Sequence, residues 1–514
     1  MKFASSKAFR DLSVHLSATV VPKKWTPKQH HAIAVEFGLT RGGAGLALDP
    51  GLGKTSITYK IFCILQGEHA VETLLVIAPL RPAHLVWPKE RDKWLDFNHL
   101  SVAVLHGTKK EQLLAEKHDV YVINPEGLPW LFKHKLFVKK FKGQMLAVDE
   151  STKFKNTRSK MRFKLLKPHL KLFKRRLILT GSLVANGLLD LFGQHYIVDM
   201  GSALGQYITH YRMRWFVPTG FGGFTWVIRD KQAEQDIYKA VAPSVLRLAS
   251  KDYQKLPKLL RPTVEIELPK EAMQIYNSMD ALMVASILNR EVSAKNAGVA
   301  SQKCRQIANG GLYLDEFDGA GERIKLPKGA KRVSNGRPWA PLHDAKTDAV
   351  CDLLEQLQGA PALIAYDFHH DRDRLLAALG DGPVLGAGVS MKETKAIEAL
   401  WNAGKLPWVL LHPTTAAHGL NLQESGQHLL LHSLLWNFEE YDQLIRRLLR
   451  TGQRATRIFA HHFIAKGTVD EIMAAVLLAK ERTQNTFYDA LVAYAKADGE
   501  TPSLHKAGRA RKKP

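Results

Sequence analysis

Cysteine is scarce in this chain of 514 residues: Cys63, Cys304 and Cys351 are three, an odd number, and they lie far apart. That pattern leaves no disulfide framework and no paired-cysteine metal knuckle, and it fits a reducing compartment. Long apolar runs are also missing. No stretch of about 18 apolar residues occurs, so no transmembrane helix is expected. The first 22 residues have no apolar core followed by a small-residue cleavage site, so no signal peptide is read there. Acidic residues run short as well: 49 Asp and Glu face 73 Lys and Arg, a formal charge of +24. Such an excess favours a polyanionic partner, nucleic acid before membrane, and does not separate DNA from RNA. A generally basic soluble protein is the other reading.

What is present is an ordinary globular composition, 45% apolar, in a length that suits about three domains of ~150 residues or two larger ones. The stretch that organises the rest is Leu46 to Thr55. An apolar run reads as a buried strand, a turn with Gly51 and Gly53 follows, and Lys54-Thr55 opens a helical run to Leu65. Glycines let backbone N–H groups approach a phosphate closely, and a helix N-terminus adds donors and partial positive charge. In this pattern Lys54 reaches the β- and γ-phosphates of a nucleotide and Thr55 meets Mg²⁺. Leu48 stands where the general pattern has a further glycine. A plain strand–turn–helix is the alternative.

Upstream, Thr26 and Pro27 suit the cap and first turn of a helix, and Gln29 carries an amide able to bond both donor and acceptor of adenine. Further strands are expected at 73–79, 119–126, 145–150 and 177–182, alternating with helical stretches. That alternation argues for an α/β fold with a parallel sheet and helices on both faces. Arg81 follows a strand, where such sheets place ligand-binding loops. Asp149 and Glu150 end another: Asp149 suits Mg²⁺ opposite Thr55, and Glu150 suits the attacking water. A surface acid pair is the bland reading. Residues 201–262 read as an elaboration, 263–268 as a strand, and 289–344 as an insertion or flexible loop. A second βα series follows, with strands at 362–366, 408–412 and 427–431. Asp367, His369, His370, Asp371 and Asp373 resemble a metal cluster, but their spacing fits a polar loop or helix start better. The pairs His30-His31 and His461-His462 read as structural.

Taken together the motifs resemble the Snf-type DNA translocases of helicase superfamily two, over about Trp25 to Glu471. Gln29 resembles the adenine-recognising glutamine, and Gly51, Leu52, Gly53, Lys54 and Thr55 resemble motif I. Pro79 and Arg81 fall in motif Ia, Asn124 in motif Ib, and Asp149-Glu150 in the DExx box with its trailing Lys155-Asn156. Thr180, Gly181 and Ser182 resemble motif III, and Leu246-Arg247 an inter-lobe signature. Gly419 and Asn421 fall in motif V, and Gln443, Arg447, Arg450, Gly452 and Gln453 in motif VI. Ser182, Leu183, Pro50 and His432 depart from the usual residues.

The resemblance implies two tandem RecA-like lobes with parallel sheets, binding ATP, Mg²⁺ and nucleic acid at the cleft between them. It implies roles for Glu150, Gln443, Arg447 and Arg450 in catalysis, with Arg447 and Arg450 on one face of a helix from about Glu440 to Leu449. It assigns Gln29, motif I, Asp149 and Gly419 to the nucleotide. Pro79, Arg81, Asn124, Thr180, Ser182 and Asn421 go to nucleic acid, and Thr55 with Asp149 to the metal. The expected layout is an extension at 1–24, a first lobe at 25–245 with a helical elaboration at about 201–245, and a second at 246–495 with an insertion at about 285–345. A basic tail, 496–514, follows. The expected activity is an ATP-dependent translocase on duplex DNA, with no membrane partner. An RNA-dependent ATPase, a strand-separating helicase, or a basic nucleic-acid binder with a vestigial ATP site are the alternatives. The compact size looks more like phage or prokaryotic members.

Overall fold

The computed structural model describes residues 21–155, 162–219, 225–288, 294–315, 329–333, 336–386, 388–416 and 420–497. Gly419, Asn156 and the basic tail beyond Ala497 lie outside them. The apolar runs of the first half become parallel strands: β1 (Gly43–Leu48), β2 (Leu74–Ile77), β3 (Val102–Val104), β4 (Val120–Ile123), β5 (Met145–Asp149) and β6 (Arg175–Thr180). A separate antiparallel hairpin follows, β7 (Phe216–Thr219) with β8 (Thr225–Ile228), and then β9 (Val245–Leu248). The large sheet runs in the order β3-β4-β2-β5-β6-β1-β9. Strands such as Leu74–Ile77 and Val120–Ile123 are buried along their whole length. Continuous rather than alternating apolar character is what a parallel sheet covered on both faces requires.

Two apolar layers cover that sheet. One packs Ile57, Tyr59, Phe62, Trp87 and Phe97 on one face. The other packs Leu128, Phe137, Phe141, Phe163, Phe192 and Phe487 on the opposite face. Because β6 lies between β5 and β1, the loops after these three strands are neighbours at the carboxyl edge, where such sheets bind ligands.

The second half carries its own parallel sheet. Its strands are β10 (Lys258–Leu260), β11 (Thr263–Ile266), β15 (Ala362–Ala365), β16 (Val384–Leu385), β17 (Trp408–Leu411), β18 (His428–Leu431) and β19 (Arg457–Ala465). The order is β10-β19-β18-β15-β17-β16, with β11 pairing the far half of β19. The stretch expected to be an insertion or flexible loop is largely regular in its described part. A helix, Ala294–Asn309, leads into a small antiparallel sheet of β12 (Gly311–Tyr313), β13 (Lys331–Arg332) and β14 (Pro338–Pro341).

The chain divides into two units, and neither boundary falls where expected. The first unit runs from Thr19 to Gln254 and resumes at Lys480; the second takes Lys255 to Ala479. The lobe change expected at 245/246 comes later because Leu246 and Leu248 pair with β1. The end of the last helix, Val469–Ala497, returns to the first unit because Phe487, Tyr488 and Leu491 bury at helical spacing in its core.

Candidate nucleotide-binding site

The phosphate loop leaves β1 at Asp49 and turns into the helix Lys54–Gly67. Gly51 and Gly53 have φ of 90° and 75°, a region that side chains disfavour. At Gly53 an added Cβ would also stand 2.7 Å from Nε2 of His31, so glycine is required twice over. Leu52 is fully buried and pins the turn to the core. Lys54 folds back so that its ammonium donates to the Leu48 carbonyl at 2.9 Å. Thr55 sits half-buried in the first turn.

Gln29 is exposed as the first residue of the helix Gln29–Leu39. Thr26 does not cap that helix: Lys28 stands at the cap, and its N–H donates to Nδ1 of His31 at 3.0 Å. Burial pushes the His31 ring down to about 4, and a backbone hydrogen bond at Leu52 works against that fall. A neutral imidazole therefore links the glutamine helix to the phosphate loop.

The acid pair ends β5. Asp149 accepts from the indole N–H of Trp87 at 3.1 Å and from the Glu150 N–H at 3.1 Å. Burial pushes its carboxyl up, and the Lys54 ammonium pulls it back. Glu150 has φ of 51°, one of few non-glycine residues in the left-handed region. Strain of this kind collects at working sites and is held there by its surroundings. The Thr55 hydroxyl and the Asp149 carboxylate are oxygen donors of the kind a hard cation such as Mg²⁺ takes.

The remaining first-unit residues divide. Pro79 caps a short helix, Leu80–Leu85, that carries Arg81, whose pKa burial lowers. Asn124 donates to Glu126 at 2.9 Å. Thr180 and Ser182 are buried and bond each other: the Ser182 N–H donates to the Thr180 hydroxyl at 2.9 Å. The Ser182 hydroxyl donates to Gln484. These two side chains are therefore turned inward rather than offered to nucleic acid.

In the second unit, Arg447 is buried near the end of the helix Phe438–Leu448 and donates to the Leu420 carbonyl at 2.9 Å. Arg450 does not share a helical face with it. The helix ends at Leu448, and Arg450 lies beyond it, donating to the Asn421 side chain at 2.7 Å. The arginine and asparagine, given separate roles by the sequence, are thus partners. Gln443 donates to Glu439 at 3.4 Å. The His–Asp group after β15 starts a helix, as its spacing suggests. Within it Asp371 is fully buried and accepts from Asn309 and Ser433, each at 2.9 Å. Burial acts to raise its carboxyl, but the His370 ring and its hydrogen bond outweigh it and hold the group well below the usual range.

Sequence reasoning missed four residues around the first half-site. Arg247, on β9, supports the phosphate loop, since its guanidinium pairs with Asp49 at 2.8 Å. Asp49 is buried and also accepts from the Ser250 N–H at 2.9 Å. Trp87 and Tyr488 carry no motif, and only their positions in the fold reveal them.

Residues 28–316 match the family described as the SNF2-related domain. The chain belongs to the SNF2-related family. Protein p41 of Acyrthosiphon pisum secondary endosymbiont phage 1 is 30% identical over 484 residues, 91% of this chain and 99% of p41. The SWI/SNF-related matrix-associated actin-dependent regulator of chromatin subfamily A member 1 of Homo sapiens is 25% identical over 465 residues, 83% of this chain. This SNF2-related chain spans only 40% of that regulator's length. Among solved structures, the Sulfolobus solfataricus SWI2/SNF2 ATPase core in complex with dsDNA is 21% identical and covers 94% of the chain and 97% of its own, with a TM-score of 0.42. The SNF2-related core is an ATP hydrolase.

Proposed function

We propose that this SNF2-related ATPase is a translocase that hydrolyses ATP to move along duplex DNA. The observation that carries the reading is the loop order at the first sheet's carboxyl edge: phosphate loop after β1 and strained acid pair after β5, one strand apart. In this reading Gln29 meets adenine, Lys54 and the loop amides hold the phosphates, and Glu150 orients and polarises the attacking water. Thr55 and Asp149 would hold Mg²⁺, which when bound supplies positive charge beside the phosphates. Arg447 and Arg450 supply cationic charge to the γ-phosphate, with Gln443 beside them. Hydrolysis then requires both units to meet one nucleotide, and cycling between states becomes movement along a strand. Asn421, Arg81, Asn124 and Pro79 serve the nucleic acid, mostly at its backbone, with little sequence preference.

Charge distribution supports the polyanionic track. Between Glu126 and Asp190 the acids are Asp149 and Glu150 alone, against sixteen lysines and arginines. Lys133, Lys139, Lys142, Lys164, Lys171 and Lys174 of this stretch are exposed.

The test is ATP turnover measured side by side with no nucleic acid, single-stranded DNA, duplex DNA and RNA. The expected result is slow turnover alone and the largest rise with duplex. Equal rates in all four arms would sink the motor, and a preference for RNA would move the substrate. Binding to duplex should also weaken with salt, by about 0.9 log unit per log salt for each phosphate neutralised.

A further inference from the structure

The last helix brings one buried tyrosine to the first unit's sheet. Tyr488 is 4% exposed. Its hydroxyl donates to the Gly181 carbonyl at 3.0 Å and accepts from the Leu183 N–H at 3.0 Å. One phenol thereby satisfies both sides of the turn that follows β6. One helical turn earlier, buried Gln484 takes the Ser182 hydroxyl, so the same helix holds the turn at a third point, while Gln194 donates to the Leu183 carbonyl at 2.8 Å from another helix. That turn touches the phosphate loop: a Cβ added at Gly181 would meet Pro50 at 3.4 Å.

The face of the same ring serves the other wall. The Arg247 guanidinium lies 4.0 Å from the ring centroid. Arg247 in turn holds Asp49 at 2.8 Å and the Ala47 carbonyl at 3.2 Å, at the point where β1 becomes the phosphate loop. A buried ion pair is costly to leave ill-positioned, and a ring face that accepts the guanidinium fixes its plane. Tyr488 is thus bonded to the Gly181–Leu183 turn and also lies against the arginine that anchors Asp49. It comes from more than three hundred residues beyond that turn in sequence.

We propose that Tyr488 is a positioning residue for ATP hydrolysis, setting the turn after β6 against the phosphate loop. This rests on the reading of that loop as the nucleotide site. The hydroxyl is the part that acts on the turn, and the ring is the part that acts on Arg247 and the core. Removing only the hydroxyl therefore separates positioning from packing.

The experiment is Tyr488→Phe in the full chain, with steady-state ATPase on duplex DNA, thermal unfolding, and amide exchange at Leu183. The phenyl ring keeps its place over Arg247, so Tm is expected to stay within about 2 °C. The Leu183 amide should exchange faster, having lost its acceptor. The expected kinetic result is a fall in kcat of about fivefold to tenfold, the worth of one hydrogen bond felt at the site, with KM for ATP within about twofold. An unchanged kcat, or a fall in kcat that only follows a fall in Tm, overturns the proposal. A wild-type chain without ATPase activity would instead sink the reading on which it rests, and this proposal with it.

Discussion

Both units carry a parallel sheet, but their candidate residues are held in different ways. In the first, Asp149 and Glu150 lie at a strand end and Lys54 at the start of the helix that follows the phosphate loop, tied by short bonds to backbone or to Trp87. In the second, Arg447 and Arg450 lie at and beyond a helix end and are already bonded to Leu420 and Asn421 of the same unit. In the first arrangement the acids and the loop backbone are fixed by the sheet edge, and only the Lys54 ammonium would have to leave a carbonyl, that of Leu48, to reach a phosphate. On the proposed mechanism both arginines of the second would exchange a bond within the protein for one to a phosphate, which suits groups required only in one state of a cycle.

Removing the arginines is expected to have the largest effect. Arg447→Ala and Arg450→Ala are each expected to cut DNA-stimulated turnover by roughly a thousandfold or more while ATP binding survives. Lysine should restore little, because an ammonium does not match the forked guanidinium. Near-normal turnover in both alanine variants would show that the second unit adds no cation to the chemistry.

On the first unit, Glu150→Gln is expected to lower turnover by about a hundredfold to ten-thousandfold with nucleotide binding kept. Lys54→Ala should instead weaken binding itself, read by titration with a fluorescent nucleotide. Normal turnover in the glutamine variant would hand the role to another acid.

A change of pH should separate the units by stability. Burial pushes His432 down to about 3, and His461 and His462 each to about 4, from an ordinary 6.5. These rings stay neutral in the folded chain and take up protons on unfolding, so the unfolded state binds more protons below 6.5. Stability is then lost as pH falls from about 6.5 toward 4. With these rings on or beside β18 and β19, amide exchange at falling pH should open the second unit first. A Tm that stays flat between pH 7 and 5, or earlier opening of the first unit, would contradict this.

The smallest effect is a control. Ser390 accepts from the Glu393 N–H at 3.2 Å, and Glu393 returns the bond to the Ser390 N–H at 2.9 Å, capping the helix Met391–Asn402. Ser390→Ala should cost about 1 kcal/mol of stability and leave turnover alone. A matching loss of activity would mean that the second unit's stability, rather than its arginines, limits the rate.

Short all-apolar runs ending in Asp49, Asn124 or Asp149 announced the main parallel strands, because a strand covered on both faces has little use for polar residues. The phosphate loop was equally legible, since glycine spacing and Lys-Thr are local demands of backbone geometry. Val102–Val104 and Val384–Leu385 escaped notice because two or three residues carry no period. The lobe boundary was misplaced because a strand's apolar pattern does not say which sheet it joins.

Local chemistry thus lay in the sequence itself: strands, the turn that only glycine permits, the acid pair, the basic excess. Tertiary structure alone decided the partners. That Asp49 takes Arg247, that Asp149 takes Trp87, and that the turn after β6 is held by Tyr488 follow from contacts between segments far apart in the chain. Such contacts leave no periodic trace in the sequence, because their spacing is set by how the chain returns upon itself rather than by the geometry of any one element.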